Sequence, residues 1–171
     1  MKRKIIKFSI ISLLIFMFVI FYKSLNKSNF YEPKSSIKDI PKFLAKSFYS
    51  KEEVDSKKIF NQDKFYLLNI WASWCLPCRD EHFILVNLNK NEKLEIIGLN
   101  YKDNLDNAKK FLNELGDPYQ TILLDQDGTK AIEWGAFGVP ETFLIYKNKI
   151  IKKFIGPLNQ KSYEEINQIV K

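Results

Sequence analysis

The sequence predicts an α/β fold: a central mixed sheet flanked by helices and preceded by one N-terminal transmembrane helix. Three observations carry this. Short apolar runs suited to buried strands alternate with helical stretches, in the order strand, helix, strand, helix, strand, hairpin, helix. An uncharged run of 15 residues, Phe8–Tyr22, stands near the N-terminus behind a basic cluster. Hydrophobic residues make up 46% of the 171 and aromatics 15%, which suits a packed core and excludes a disordered chain.

The N-terminal element comes first. Lys2, Arg3 and Lys4 precede an apolar run, Ile5–Tyr22, interrupted by Lys7. With Lys7 snorkelling to the interface, the run reaches about 18 residues, near the lower limit for a span. A cleavable signal would end in a small-x-small site, and Lys23-Ser24-Leu25-Asn26-Lys27-Ser28 offers no convincing one. An uncleaved anchor is therefore expected. The larger basic cluster stays cytoplasmic, so the domain faces the exported side. Residues 1–23 read as cytoplasmic stub and anchor, 24–39 as a polar linker containing Pro33, and 40–171 as the folded domain.

The net charge of +7 divides unevenly. Residues 1–34 carry seven Lys/Arg and one Glu, which is +6; residues 35–171 carry 20 against 19, which is +1. No basic stripe remains on the domain to track phosphates, so nucleic acid is not an expected partner.

Within the domain, Phe43–Phe48 reads as a short strand or an extended arm, and Lys51–Lys58 as charged surface. Phe65–Trp71 suits a strand buried on both faces. A helix follows Cys78 to about Lys90, with Phe83, Val86 and Leu88 as its apolar face. Leu94–Leu99 is a second buried strand. Asn104–Leu115 is an amphipathic helix with Leu105, Ala108, Phe111, Leu112 and Leu115 on one side, stopped by Gly116-Asp117-Pro118. Thr121–Leu124 is a third strand, and residues 125–128 form a turn. Thr142–Tyr146 and Ile150–Ile155 form a hairpin across residues 147–149. Gly156-Pro157 ends it, and Ser162–Val170 closes the chain as a helix.

Both cysteines sit in one C-x-x-C, Cys75-Leu-Pro-Cys78, between a strand and a helix. Cys75 falls at the first helical turn, where unpaired N–H groups and the helix dipole stabilise a thiolate and make it the nucleophile. Cys78 lies one turn on, within reach to resolve a mixed disulfide. Pro77 is tolerated in a first turn because its missing N–H is unpaired there anyway. Haem attachment needs a histidine at position 79, which is Arg79. A zinc site needs two further strong ligands, and His82 alone is near. The bland alternative is a pair of inert structural cysteines. No metal or bound cofactor is expected; the redox element is the Cys75–Cys78 pair itself.

The stretch Asn69-Ile-Trp-Ala-Ser-Trp-Cys-Leu-Pro-Cys-Arg-Asp-Glu-His82 resembles the active-site segment of membrane-anchored thioredoxin-like proteins, in particular the DsbE/CcmG thiol:disulfide interchange family of cytochrome c biogenesis. Gly98-Leu-Asn-Tyr-Lys-Asp103, Leu124-Asp-Gln-Asp-Gly128 and Trp134-Gly-Ala-Phe-Gly-Val-Pro-Glu-Thr-Phe143 agree with it. The resemblance covers about residues 40–160. It implies a thioredoxin-like fold and a periplasm-facing reductant, held in a bacterial inner membrane, that keeps the haem-binding cysteines of apocytochrome c reduced. A transmembrane thiol carrier would return its electrons. It also implies that Pro140 is cis and faces the dithiol, with the Val139 backbone free to pair with an extended substrate.

Several side chains support that site. Position 69, where ordinary thioredoxins carry a buried Asp, is Asn69, which cannot accept a proton. Glu81, one helical turn beyond Cys78, and Glu141 are the candidate proton acceptors; the alternative is a solvated helix Glu and a turn Glu. Trp74 is expected to shield the site and contact substrate. Trp71 and Trp134 read as core or rim aromatics, His82 as more structural than catalytic, and Arg79 and Asp80 as a solvated helix face. Two competing functions stand beside the reductase. One is a general periplasmic dithiol oxidant or isomerase on the same fold. The other is a non-catalytic apocytochrome-binding module of the haem ligation machinery.

Overall fold

The computed structural model describes residues 2–26, 38–60 and 63–171. The chain splits into two units between Lys34 and Ser35. In the first, helix α1 (Lys2–Asn26) contains Ile5–Lys23, 19 residues long and apolar enough to cross a membrane by length and composition. Its large apolar side chains from Ile5 to Tyr22 are all exposed. Residues 27–37 of the expected linker lie outside the described residues.

The second unit is built on one sheet. Its strands are β1 (Lys38–Asp39), β2 (Leu44–Ser47), β3 (Glu53–Asp55), β4 (Phe65–Trp71), β5 (Leu94–Tyr101), β6 (Thr121–Asp125), β7 (Glu141–Tyr146) and β8 (Lys149–Ile155). The spatial order is β1-β8-β7-β4-β5-β6-β2-β3. Strands β4, β5 and β6 run parallel, and every other pairing is antiparallel. The helices are α2 (Ser56–Ile59), α3 (Leu76–Leu88), α4 (Leu105–Leu115), α5 (Thr129–Glu133) and α6 (Gln160–Ile169). The mixed sheet flanked by helices is the expected thioredoxin-like arrangement, and its first strand starts at Lys38, inside the stretch read as linker.

Strand periodicity divides the core into two clusters. Leu67 and Trp71 of β4 pack with Leu144 of β7, with Leu85 and Leu88 of α3, and with Phe111 and Ile166. Tyr66, Leu68 and Ile70 pack with Phe143, Ile145 and Trp134 on the opposite face. Asn69 and Thr142 keep the two-residue period of the first set and share its face, so both point towards α3. A side chain at position 98 would press on this first cluster. A Cβ there would stand 2.9 Å from Trp71 Nε1 and 3.1 Å from the Tyr119 ring, so Gly98 leaves room for the two stacked rings.

One expectation needs correction, and two others gain detail. The buried residues of α3 are Cys78, Glu81, His82, Ile84, Leu85 and Leu88, whereas Phe83 is 61% exposed. The helix turns the stripe 78–81–82–85–88 inward, and two polar residues in it hide the period. Lys51–Lys58 is for the most part exposed charged surface, as expected, and it also holds β3 and the start of α2. Buried Ser56 anchors that segment by accepting from Phe43 N–H at 3.1 Å, a signal with no apolar pattern. The turn at 125–128 leads into α5, a single turn of helix. Gly128 takes φ +80° at its N-cap, and the buried Asp125 carboxylate accepts from Lys130 and Ala131 N–H groups.

Candidate active site

Strand β4 delivers the chain to one end of the sheet, and Cys75 caps α3 there. Cys75 has extended backbone angles (φ −86°, ψ 108°), and its Sγ accepts from the Cys78 N–H at 3.1 Å. A sulfur that caps a helix already holds the position where negative charge is stabilised. Cys75 and Cys78 are joined as a disulfide, their Cα atoms 5.3 Å apart. Cys75 is 4% exposed and Cys78 2%. Trp74 and Leu76, either side of Cys75, are well exposed and form an apolar rim; Trp74 therefore stands in solvent beside the sulfurs.

Residues ahead of Cys75 are tied down by a carboxylate that sequence reasoning did not single out. Asp103 accepts from Ser73 N–H at 2.6 Å, from Ser73 Oγ at 2.7 Å and from the Asn100 amide at 2.9 Å. Trp74 Nε1 donates to the Lys102 carbonyl at 3.1 Å. Asp103 also accepts from the N–H of Asn104, the N-cap of α4. The signal available in the sequence was the Gly98–Asp103 stretch, in which Asp103 looks like an ordinary helix-start acid.

Glu81 lies one turn beyond Cys78 on the buried face of α3 and is 1% exposed. Asn69 Nδ2 donates to Glu81 Oε1 at 2.8 Å, and Leu158 N–H donates to Oε2 at 2.6 Å. Tyr119 Oη donates to Asn69 Oδ1 at 2.8 Å, which fixes which end of the amide faces the carboxyl. The same Nδ2 reaches Thr142 Oγ1 at 2.9 Å. Burial pushes the Glu81 carboxyl up to about 7, against the opposing pull of the Leu158 and Asn69 hydrogen bonds. Tyr119 is pushed well above the usual phenol value by its own burial, so it is a donor throughout the neutral range.

The opening of β7 lies beside the end of β4, since Ile70 pairs with Glu141. The Cys75 and Pro140 segments therefore leave the same end of the sheet. The Val139–Pro140 bond is cis, as expected. Val139 is partly buried against the cluster that holds Cys75 and Cys78. Glu141 does not face α3. Its neighbour Thr142 does, and alternation turns Glu141 to the other face. There its Oε1 accepts from Phe137 N–H at 2.7 Å and Gly138 N–H at 3.1 Å, and Oε2 pairs with Lys153 Nζ at 2.6 Å.

His82 is 2% exposed and pairs edge-on with Phe111. Burial lowers its pKa, and its Nε2 lies 2.8 Å from the Gly116 carbonyl. A carbonyl only accepts, so Nε2 carries the proton and the ring is a neutral core group. Trp71 and Trp134 are buried in the two core clusters. Arg79 is not simply solvated: it forks onto Glu114 at 2.8 and 3.2 Å and lies over the Phe111 ring, while Asp80 is exposed.

The redoxin family matches residues 38–169. The chain is 50% identical over 103 residues to the thiol:disulfide interchange protein CycY of Rhizobium leguminosarum bv. viciae, a match covering 60% of this chain and 55% of that protein. It is 40% identical over 129 residues to the thiol:disulfide interchange protein DsbE of Escherichia coli, covering 75% of this chain and 69% of that one. The match thus spans little more than half the length of the first of these relatives and just over two thirds of the second. Among solved structures, a DsbF homologue from Corynebacterium diphtheriae superposes with a TM-score of 0.66 at 22% identity, over 80% of this chain and 87% of that one, a likeness of fold.

Proposed function

We infer the function from the premise that this chain belongs to the redoxin family, among relatives named DsbE and CycY thiol:disulfide interchange proteins. It is a protein-disulfide reductase, and its substrates are exported disulfides, foremost those of the haem-binding cysteines of apocytochrome c. One observation carries the reading: Cys75 caps α3, and Cys78 and Glu81 follow on the buried face of the same helix.

The chemistry follows from that stacking. The Cys75 thiolate attacks one sulfur of the substrate disulfide, forming a mixed disulfide and releasing one substrate thiolate. Cys78 then attacks Cys75 Sγ. Its proton must leave, and burial keeps a thiol protonated at neutral pH. Glu81, held near neutral pKa on the same face, is the acceptor. The Cys75–Cys78 disulfide forms, and the substrate departs as a dithiol. A transmembrane thiol carrier returns two electrons and two protons. Sulfur supplies all the redox chemistry, so no cofactor is needed. Glu141 acts at a distance, through the 135–138 loop. Helix α1 holds the domain at the inner membrane, with the basic N-terminus cytoplasmic and the domain in the periplasm.

The deciding experiment is the reduction potential of the full chain, equilibrated in detergent against glutathione buffers. A reductant lies near thioredoxin, at about −270 mV. A value near −120 mV, the scale of a strong dithiol oxidant, would replace this reading with the oxidant one.

A further inference from the structure

Neighbouring residues on a strand face opposite ways, so the paired lysines of β8 have different surroundings. Lys152 pairs with Glu165 of α6. Lys153 lies across from Phe143 on the other face and is 15% exposed along its side chain. Four groups surround its ammonium, one of them the Phe143 ring, whose centroid lies 5.3 Å away. Glu141 Oε2 is 2.6 Å away, the Gly135 carbonyl accepts from it at 2.7 Å, and the Phe137 ring centroid lies 4.6 Å off. Glu141, 3% exposed along its side chain, spends its other oxygen on the Phe137 and Gly138 N–H groups.

The ion pair therefore grips residues 135–138 by a carbonyl at one end and two N–H groups at the other. That loop has no strand or helix of its own, and a Cβ added at Gly135 or Gly138 would meet nothing within 4 Å. Ala136 packs against the second core cluster, and the Gly135 and Ala136 N–H groups donate to the Ile132 and Ala131 carbonyls at 2.8 and 2.9 Å, so the start of the loop is held from α5. The Phe137 and Gly138 N–H groups, by contrast, are held by Glu141, and through it by Lys153. Phe137 is nevertheless 84% exposed, an apolar ring anchored from behind by a cation and through its backbone by a carboxylate. Val139 follows two residues later, at the end of the sheet where the chain also runs to Cys75.

We propose that Lys153 is a positioning and specificity-determining residue: through Glu141 it fixes the 135–138 loop, so that Phe137 and the Val139 backbone meet an extended polypeptide substrate. The proposal rests on the thiol:disulfide exchange reading and adds a determinant of substrate choice to it. A polypeptide that lies along the loop depends on this order; a disulfide too small to touch the loop does not.

The test follows single turnovers of the reduced full chain in detergent on two substrates, as rate against substrate concentration in excess, so that KM is the half-saturating concentration and kcat the limiting rate. One is an extended peptide with an internal disulfide flanked by apolar residues; the other is bis(2-hydroxyethyl) disulfide. Lys153→Met should raise KM for the peptide roughly tenfold, the cost of ordering the loop at each encounter. It should leave kcat and the rate on the small disulfide unchanged. Lys153→Arg keeps the charge and should retain the wild-type KM. Phe137→Ala, at an exposed site that folding does not need, should reproduce the peptide-specific rise. Equal slowing on both substrates, an unchanged peptide KM in either Lys153→Met or Phe137→Ala, or an arginine variant as impaired as the methionine one overturns the proposal. A wild-type chain that reduces neither disulfide instead overturns the exchange reading on which it rests.

Discussion

Asn69 donates to the Glu81 carboxyl at 2.8 Å, across the boundary between β4 and α3. An amide thus stands on the strand and the acid on the helix. The amide is not idle, because Tyr119 orients it and it feeds a hydrogen bond to a carboxyl whose burial disfavours charge. The outcome is a buried acid poised near neutrality, one turn behind the resolving sulfur.

Glu81→Gln keeps the shape and removes the proton acceptor. Resolution of the mixed disulfide should slow roughly 10- to 100-fold, the scale of general-base effects, while alkylation of Cys75 changes much less. Glu81 must be ionised to accept a proton, so the wild-type rate should fall as pH drops through about 7. The variant should lose that inflection. Stopped-flow resolution rates from pH 5 to 9 check both; an unchanged rate and profile returns Glu81 to a structural role.

The same carboxyl leaves a mark on stability. Its pKa rises from 4.5 to about 7 on folding, so between those values the folded chain binds more protons than the unfolded one. Its contribution is full below about 4.5, declines as pH rises, and is gone above about 7. The whole shift is worth about 3 kcal/mol. Urea unfolding of wild type and Glu81→Gln at pH 5 and pH 8 isolates it. The wild type should lose about 2–3 kcal/mol relative to the variant between the two pH values, less than the whole shift because the unfolded carboxyl is already mostly ionised at pH 5. A constant difference contradicts the assignment.

His82 separates packing from chemistry. His82→Phe removes the N–H that satisfies the Gly116 carbonyl and should cost about 1–3 kcal/mol of stability. Resolution should stay within about twofold of wild type, because a neutral ring turned to a carbonyl takes no part in the exchange. A rate loss of about tenfold or more with the fold intact would give His82 a share in proton transfer.

Much of this was legible in the sequence, and what escaped did so for physical reasons. Continuous apolar runs such as Phe65–Trp71 announce buried strands because both faces are covered. The C-x-x-C and the proline before β7 carry their chemistry in residue type alone. The face of α3 misled because Glu81 and His82 occupy inward positions that periodicity assigns to apolar residues, leaving Phe83 to look like the core contact. Glu141 was visible as an acid, but strand alternation turns it from the sulfurs towards the 135–138 loop. Lys153 and Asp103 were invisible as site residues. Their partners lie 12 and 30 residues away respectively, and only the folded sheet brings them together.

The most direct test of the central claim is a trap. With Cys78→Ser the resolving thiol is gone, so Cys75 should accumulate as a mixed disulfide. Expressed in cells that make c-type cytochromes, the full-length variant should carry apocytochrome c, released by reductant and identified by mass spectrometry at its haem-binding cysteines. Cys75→Ser should trap little. Adducts formed through Cys78 in the Cys75→Ser chain, or no apocytochrome on the Cys78→Ser chain, would contradict the account.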